Sequence, residues 1–213
     1  DLWKNRDNRF YGAIVYHGSS YLDVPYMEMN QNAQNGYVYG KNNGRRTGYY
    51  SKKFINKSYS VHDASNSGTD YIDIRFAEVM LNYAEAAVET NHLSEAFEVL
   101  SKIRDRAGIL KTVPGDPELA GREYGLDPGM EQADMRQAVR DERYIELLFE
   151  RKRLWDLRRW KIYHEVMTGK EKRYALILTE ETDKSLSWEL FDRDNTPMIT
   201  DERIYFLPLS QSD

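Results

Sequence analysis

Between residues 70 and 108 apolar side chains return every three or four positions, the period of an α-helix. Ile72, Phe76, Val79, Met80, Tyr83 and Ala87 share one face, and Ala77, Leu81, Ala84 and Val88 share a second. Arg75, Glu78, Asn82, Glu85 and Glu89 form a polar stripe opposite them. A helix with two apolar faces is expected to sit between neighbours. After residues 90–92 a second stripe, Ala96, Val99, Leu100, Ile103 and Ala107, predicts another helix. Ser94 is placed to cap its start and Gly108 to end it in the left-handed conformation, with Lys102, Arg104 and Arg106 complementing its dipole. Two antiparallel helices with small alanines between them are the hairpin unit of tetratricopeptide-like repeats.

The segment 134–163 contains neither glycine nor proline and is the longest stretch of helix formers in the chain. Asp134 reads as its N-cap, with Gln137 reaching back as in a capping box. Ala138, Ile145, Leu148, Lys152 and Trp155 form one row, and Val139, Arg143, Leu147, Leu154 and Leu157 another. Charge interrupts both rows, most strongly at residues 150–153, which predicts either one bent helix or two helices in tandem. Trp155 and Trp160 are expected to anchor the second half in a deep groove.

Elsewhere the pattern is weaker. Residues 1–70 are rich in Tyr, Asn and Gly and predict extended, irregular structure, with a short strand near residues 13–16. Residues 111–133 hold three of the six prolines and four glycines, a long loop that is either functional or tied down by its own contacts. Residues 174–179 and 186–192 read as two strands, Leu186, Trp188 and Leu190 alternating with Ser187 and Glu189 in the second. The closing segment reads as a strand-like tail burying Tyr205, Phe206 and Leu207. These elements predict a mainly α fold of tetratricopeptide-like helical hairpins, with a loop-rich subdomain and a small β-hairpin. The expected division is 1–69, an irregular ligand-face segment; 70–164, a helical repeat-like core; and 165–213, the hairpin and tail packed on that core.

Charge changes this picture little. The chain of 213 residues carries a net charge of -5, so the local basic run Arg45, Arg46, Lys52, Lys53 and Lys57 reads as a solvated loop and no nucleic-acid partner is expected. No apolar run is long enough to span a bilayer. Without cysteine there is no disulfide framework and no thiolate site.

Ten of the 16 tyrosines lie within residues 1–71, which concentrates flat faces with polar edges in the irregular region. Such rings hold sugars or peptide side chains, or simply pin loops to a core. Trp3, Tyr21, Tyr37 and Tyr39 are the substrate-binding candidates. Glu142, Glu146 and Glu150 recur every four residues and project from one helical face. Such carboxylates serve acid–base catalysis, or pair with the nearby Arg140, Arg143, Arg151, Arg153, Arg158 and Arg159 in a network that orders the fold. The network is the expected reading. His17, His62, His92 and His164 lack ligand spacing, and Asp192, Asp194 and Thr196 mimic a calcium loop in which Pro197 replaces the required glycine. No metal, cofactor or catalytic residue is expected, and no phosphate loop or nucleophile elbow appears.

Several segments carry a family resemblance. DERYIELLFERKRLWDLRRWK resembles the paired acidic and basic helices of the SusD/RagB family, with Arg151 where a glycine is common. WKNRDNRFYGAIVYHGSSY resembles that family's W-RDPRFYATV-YNG segment, with Asn8 in place of proline; TGYYSKKFI, DIRFAEVMLNYAEA, EAFEVLSKIRDRAGI and ERIYFLPLSQSD resemble further segments. The resemblance implies the C-terminal part of a longer surface-exposed outer-membrane lipoprotein, anchored by an N-terminal lipid on a cysteine this chain lacks. It implies non-enzymatic capture of glycan or peptide oligomers and their delivery to a SusC-like TonB-dependent transporter contacted by the repeat-like helices. Two other readings of the residues are a helical-repeat interaction scaffold recognising proteins through its polar stripe, and a glycoside hydrolase using Glu142 and Glu146.

Overall fold

The computed structural model describes residues 2–30, 47–63, 66, 68–168, 174–192 and 205. Its chain forms two compact units, one of Asp1–Ala13 with Asp70–Arg153, the other of Ile14–Thr69 with Leu154–Asp213.

The first unit is helical. Helix α1 spans Asn8–Ala13, α2 Phe76–Glu89, α3 Leu93–Arg106 and α4 Gln132–Glu146. Ala77, Leu81, Ala84, Ala87 and Val88 line the inner face of α2 and meet Ala96, Val99, Leu100 and Ile103 of α3. The alanines let the two backbones approach. Met135, Val139 and Leu147 close the core from the α4 side. Gln132 fastens the start of α4 to the end of α2 by donating to the Val88 carbonyl at 2.8 Å. Burying Leu81 or Leu100 in this layer contributes about 1.5–3 kcal/mol each.

The helix ends depart from the sequence reading in two places. Helix α4 begins at Gln132 with Glu131 in the capping position, so Asp134 lies in its first turn and Gln137 bonds Asp141 instead of reaching back. Helix α3 begins at Leu93 after His92, placing Ser94 inside the helix rather than at its cap. Gly108 does end α3, with φ +78°. The amide of Ile109 closes back on the Arg104 carbonyl at 3.0 Å, and Asn8 donates to the Ala107 carbonyl at 3.0 Å. Asn8, at the position where the family segment carries proline, thus tethers α1 to an orphan carbonyl at a helix end.

The long loop 111–133 is tied down. Leu126 is buried in the helical core, Arg104 donates to the Tyr124 carbonyl at 3.0 Å, and residues Pro117–Leu119 make one 3₁₀ turn.

Of the two outcomes foreseen for residues 134–163, the tandem one is found. Helix α4 stops before Leu147, Phe149 and Arg151 take φ +66° and +59°, and α5 starts anew as Arg153–Arg159. Arg151 adopts the left-handed backbone that a glycine would take without strain. The expectation for the tryptophans is corrected: Trp155 is 55% exposed and Trp160 only half-buried, while Leu157 and Asp156 are the buried residues of α5. The spacing placed Trp155 on an apolar row, but the new helix start resets the phase of that row.

The second unit has two small antiparallel sheets. Strand β1, Ile14–Val15, pairs with β2, Tyr50–Ser51, with Val15 opposite Tyr50. Strand β3, Tyr174–Glu180, pairs with β4, Leu186–Asp192, as the alternation predicted, and the turn closes through Lys184 at φ +69°. Val15, Met27 and Met29 are buried together, with Tyr21, Val24 and Tyr50 against them. The Leu176 amide donates to the Thr47 carbonyl at 3.1 Å. At the neighbouring Gly48, φ is +81° and a Cβ would stand 2.5 Å from the Leu176 oxygen, so this approach requires glycine. A short helix α6, Tyr163–Met167, was not foreseen. Its His164 is hydrogen-bonded to the half-buried Tyr205 through Nδ1. Phe206 and Leu207 lie outside the described residues.

Candidate functional site

Glu142 and Glu146 of α4, and Glu150 in the turn after it rather than on the same helical face, are buried in the helical unit, where arginines from other elements match their charges. Glu142 is fully buried and accepts from Arg9 Nη1 at 2.5 Å and from Arg104 Nε at 2.7 Å. Glu146 accepts from Arg75 Nη1 at 2.7 Å, from Arg9 Nη1 at 3.1 Å and from Arg106 Nη2. Glu150 accepts from Arg75 Nε at 2.8 Å, and Arg75 Nη2 also donates to the Glu146 carbonyl. Burial by itself would raise the Glu146 carboxyl, but hydrogen bonds from Arg106, Arg75 and Arg9 hold it below its ordinary value. Arg75 is held above its own ordinary value: burial would lower it, and Glu150 and Glu146 outweigh that.

The ordering network is therefore present, with different cations from those the sequence suggested. Arg143 instead donates to Asn82 at 2.7 Å, Arg151 lies over the Tyr71 ring and Arg153 over Tyr144. Within the second unit Arg158 lies over Trp155, and Arg159 over Trp160. The reason is geometric. Glu142 and Glu146 share one face of α4, from which positions 140 and 143 diverge, while Glu150 lies in the turn beyond the helix and everything from 151 follows the break. Arg9 was visible only inside the quoted segment WKNRDNRF, and Arg75 as a member of the polar stripe.

The polar stripe of α2 is committed in the same way. Arg75 serves Glu146 and Glu150, Glu78 meets Lys152 at 3.0 Å, Asn82 meets Arg143, and Glu89 meets Arg136 at 2.6 Å. The first apolar face is split: Phe76 is 75% exposed and Ile72, Val79 and Tyr83 are exposed, while Met80 and Ala87 pack into the core. The helix does sit between neighbours, α3 and α4, with members of both rows in the core.

Of the four aromatic candidates, Trp3 and Tyr21 are among the described residues. Trp3, in the first unit, is half-buried, its carbonyl accepting from Tyr11 Oη at 2.6 Å. Tyr21, in the second, is half-buried against Val15, Met27 and Met29, and burial raises its phenol. Tyr37 and Tyr39 lie outside the described residues, as do Asp194, Thr196 and Pro197. An open cavity of about 360 Å³ is lined by the loop residues Thr112, Val113, Pro114, Leu119 and Arg122. Among the described residues no group of three or more His, Asp or Glu is arranged to hold a metal ion, and no helix is long and apolar enough to cross a membrane.

Comparison with known proteins agrees with this architecture. The chain is 35% identical over 106 residues to a SusD-like protein of Formosa agariphila, covering 49% of this chain and 20% of that one. It is 33% identical over 125 residues to a second SusD-like protein of the same organism, covering 59% and 22%. Its fold is similar to the crystal structure of a SusD-like protein from Bacteroides fragilis, with a TM-score of 0.69 and 26% identity over 96% of this chain and 35% of that one. The chain thus spans at most 35% of the length of any of these relatives. The SusD family itself matches residues 1–213. With that match over its whole length, and a helical hairpin and a tandem acidic and basic helix pair where the quoted segments stand, this chain belongs to the SusD family.

Proposed function

We propose that the protein to which this chain belongs captures nutrient oligomers, oligosaccharide or peptide, at the outer face of the outer membrane and passes them to a SusC-like TonB-dependent transporter. The SusD family is one of nutrient-binding proteins of the cell surface, and its match to residues 1–213 is the observation that carries the reading. Attachment to the membrane is through an N-terminal lipid, and ligand is held by aromatic stacking and hydrogen bonds without covalent chemistry. Trp3, Tyr21, Tyr37 and Tyr39 are the proposed contributions of this chain to the ligand face.

The state of the carboxylates supports binding over hydrolysis. A glycoside hydrolase needs one carboxyl to give up a proton and one to meet the sugar or water. Glu142 and Glu146 are buried and each accepts from at least two arginines. The scaffold reading loses its recognition surface, because the polar stripe is engaged with α4 and Lys152.

Affinity purification of the full-length protein from native outer membrane in mild detergent tests the proposal. Co-elution of a large TonB-dependent barrel in near-equal amount is expected. Recovery without a barrel, or from the soluble fraction, would overturn the delivery step.

A further inference from the structure

The imidazole of His17 joins two turns of backbone in the second unit, and it does so in one protonation state only. Its Nδ1 accepts from the Met29 amide at 3.0 Å, so the proton of the neutral ring resides on Nε2, which donates to Tyr26 Oη at 3.2 Å. The Tyr26 ring stands edge-on to it at 5.6 Å. Around this pair, the Gly18 amide donates to the Met27 carbonyl and the Met27 amide to the Ser19 carbonyl, both at 2.9 Å. His17, Met27, Met29 and Asn30 are all buried.

We infer that His17 is a proton-operated latch, which holds residues 26–30 against residues 17–19 while its ring is neutral and lets them go when the ring is charged. A second proton must go on Nδ1, where it would point at the Met29 N–H. Two donors then face each other in a buried place, and the amide loses its acceptor. Among the described residues the charged groups near the ring are Glu28 on the latched segment and Glu180 on β3, which both favour the imidazolium. Lys184 offsets part of this by pairing with Glu180 at 2.6 Å, and Asn30 reaches the other Glu180 oxygen at 3.4 Å. Burial opposes the imidazolium more strongly than the two carboxylates favour it, so the ring is held below its ordinary value.

The sign follows from linkage. A depressed folded value means that the released segment binds the proton better than the latched one. The latch is fully engaged above the ordinary histidine value of ~6.5 and weakens as the pH falls from there toward the folded value. The latched segment continues in sequence toward Tyr37 and Tyr39, but the inference does not depend on what those residues bind.

Hydrogen exchange of the full-length protein between pH 7.5 and 5, corrected for intrinsic rates, tests it, with His17 titrated by NMR in parallel. Opening of residues 26–30 is expected to rise by up to about tenfold per pH unit through the transition, while peptides from α2 and α3 stay level. His17→Gln, whose side-chain oxygen accepts from an amide without titrating, should flatten this pH dependence. Protection in the wild type that stays constant as the His17 ring charges would overturn the inference, as would pH-dependent opening that persists in His17→Gln. Should that variant fail to fold, the paired wild-type titration and exchange decide.

Discussion

In the helical unit, Leu81, Val88, Leu100, Ile103 and Val139 form one continuous apolar layer, and a file of three glutamates is neutralised beside it by Arg9, Arg75, Arg104 and Arg106. In the second unit, the corresponding cluster is Val15, Met27 and Met29, supported by partly buried tyrosines and by backbone hydrogen bonds within loops, with a separate buried run, residues 175–178, in β3. The first unit draws its order from periodic burial plus paired charge. The second adds to its buried apolar residues individual close approaches, at Gly48 and His17, each of which one side chain or one proton can undo. The difference teaches where substitutions should be felt broadly and where only locally.

The sharpest way to break the first unit is to remove Glu146. It leaves three guanidiniums facing a vacated, buried position, and stripping one side of a buried pair costs about 3–5 kcal/mol. Urea unfolding of Glu146→Ala should show that loss. Acid should reproduce part of it. Glu146 is held below its ordinary value, so its stabilisation is complete above the unfolded glutamate value of ~4.3 and fades as the pH falls through the lower folded value. A wild-type protein whose thermal midpoint drops steeply below that pH, with a shallower drop in Glu146→Gln, is the expected result.

The two faces of α2 sharpen the comparison within one helix. Leu81 is fully buried and Leu81→Ala should cost about 2–5 kcal/mol. Phe76, four residues before the Met80 position and far larger, is mostly exposed, so Phe76→Ala in this chain should change stability by less than about 0.5 kcal/mol. Equal losses in denaturant titrations would mean that the Phe76 face is covered.

In the second unit Gly48→Ala meets the Leu176 oxygen and a φ of +81° together. The conformation alone costs about 1–2 kcal/mol. Exchange of the Leu176 amide, which donates to Thr47, should quicken in this variant while α3 amides keep their protection.

The helical unit was the more legible of the two, and for a physical reason. Period and burial coincide in α2 and α3, where Leu81, Val88, Leu100 and Ile103 mark the core directly. The β3–β4 hairpin was likewise written in its alternation, though β4 leaves Leu186, Trp188 and Leu190 exposed. How the two apolar rows of α2 divide between core and surface was not written there, because both have helical spacing and the choice is made by packing against α3 and α4. Helix α1 was missed because RDNRFYGA carries only one turn of pattern, and strand β2 because two residues have no period to read. The ligand face was the least legible part. A tyrosine that stacks on a sugar and one that pins a loop look alike in sequence, and half-buried Tyr21, packed against the Val15, Met27 and Met29 cluster, can do both.

The smallest expected effect tests the joint between α4 and α5. Arg151 holds φ +59°, a conformation costing a non-glycine residue about 1–2 kcal/mol, and it stands where the family segment commonly has glycine. Its guanidinium returns part of that cost by lying 5.3 Å from the centroid of Tyr71, whose hydroxyl donates to the Glu150 carbonyl at 3.3 Å. A partly exposed cation over a ring contributes about 0.5–1 kcal/mol. Arg151→Gly relieves the backbone and loses the ring contact, so its net change should stay within about 1 kcal/mol. Arg151→Ala loses the contact and keeps the strain, and so should be the less stable of the two by about 1 kcal/mol, the glycine's greater freedom when unfolded trimming the gap. Equal unfolding midpoints for the two variants would show that the left-handed conformation of residue 151 costs an alanine no more than the glycine's extra freedom when unfolded.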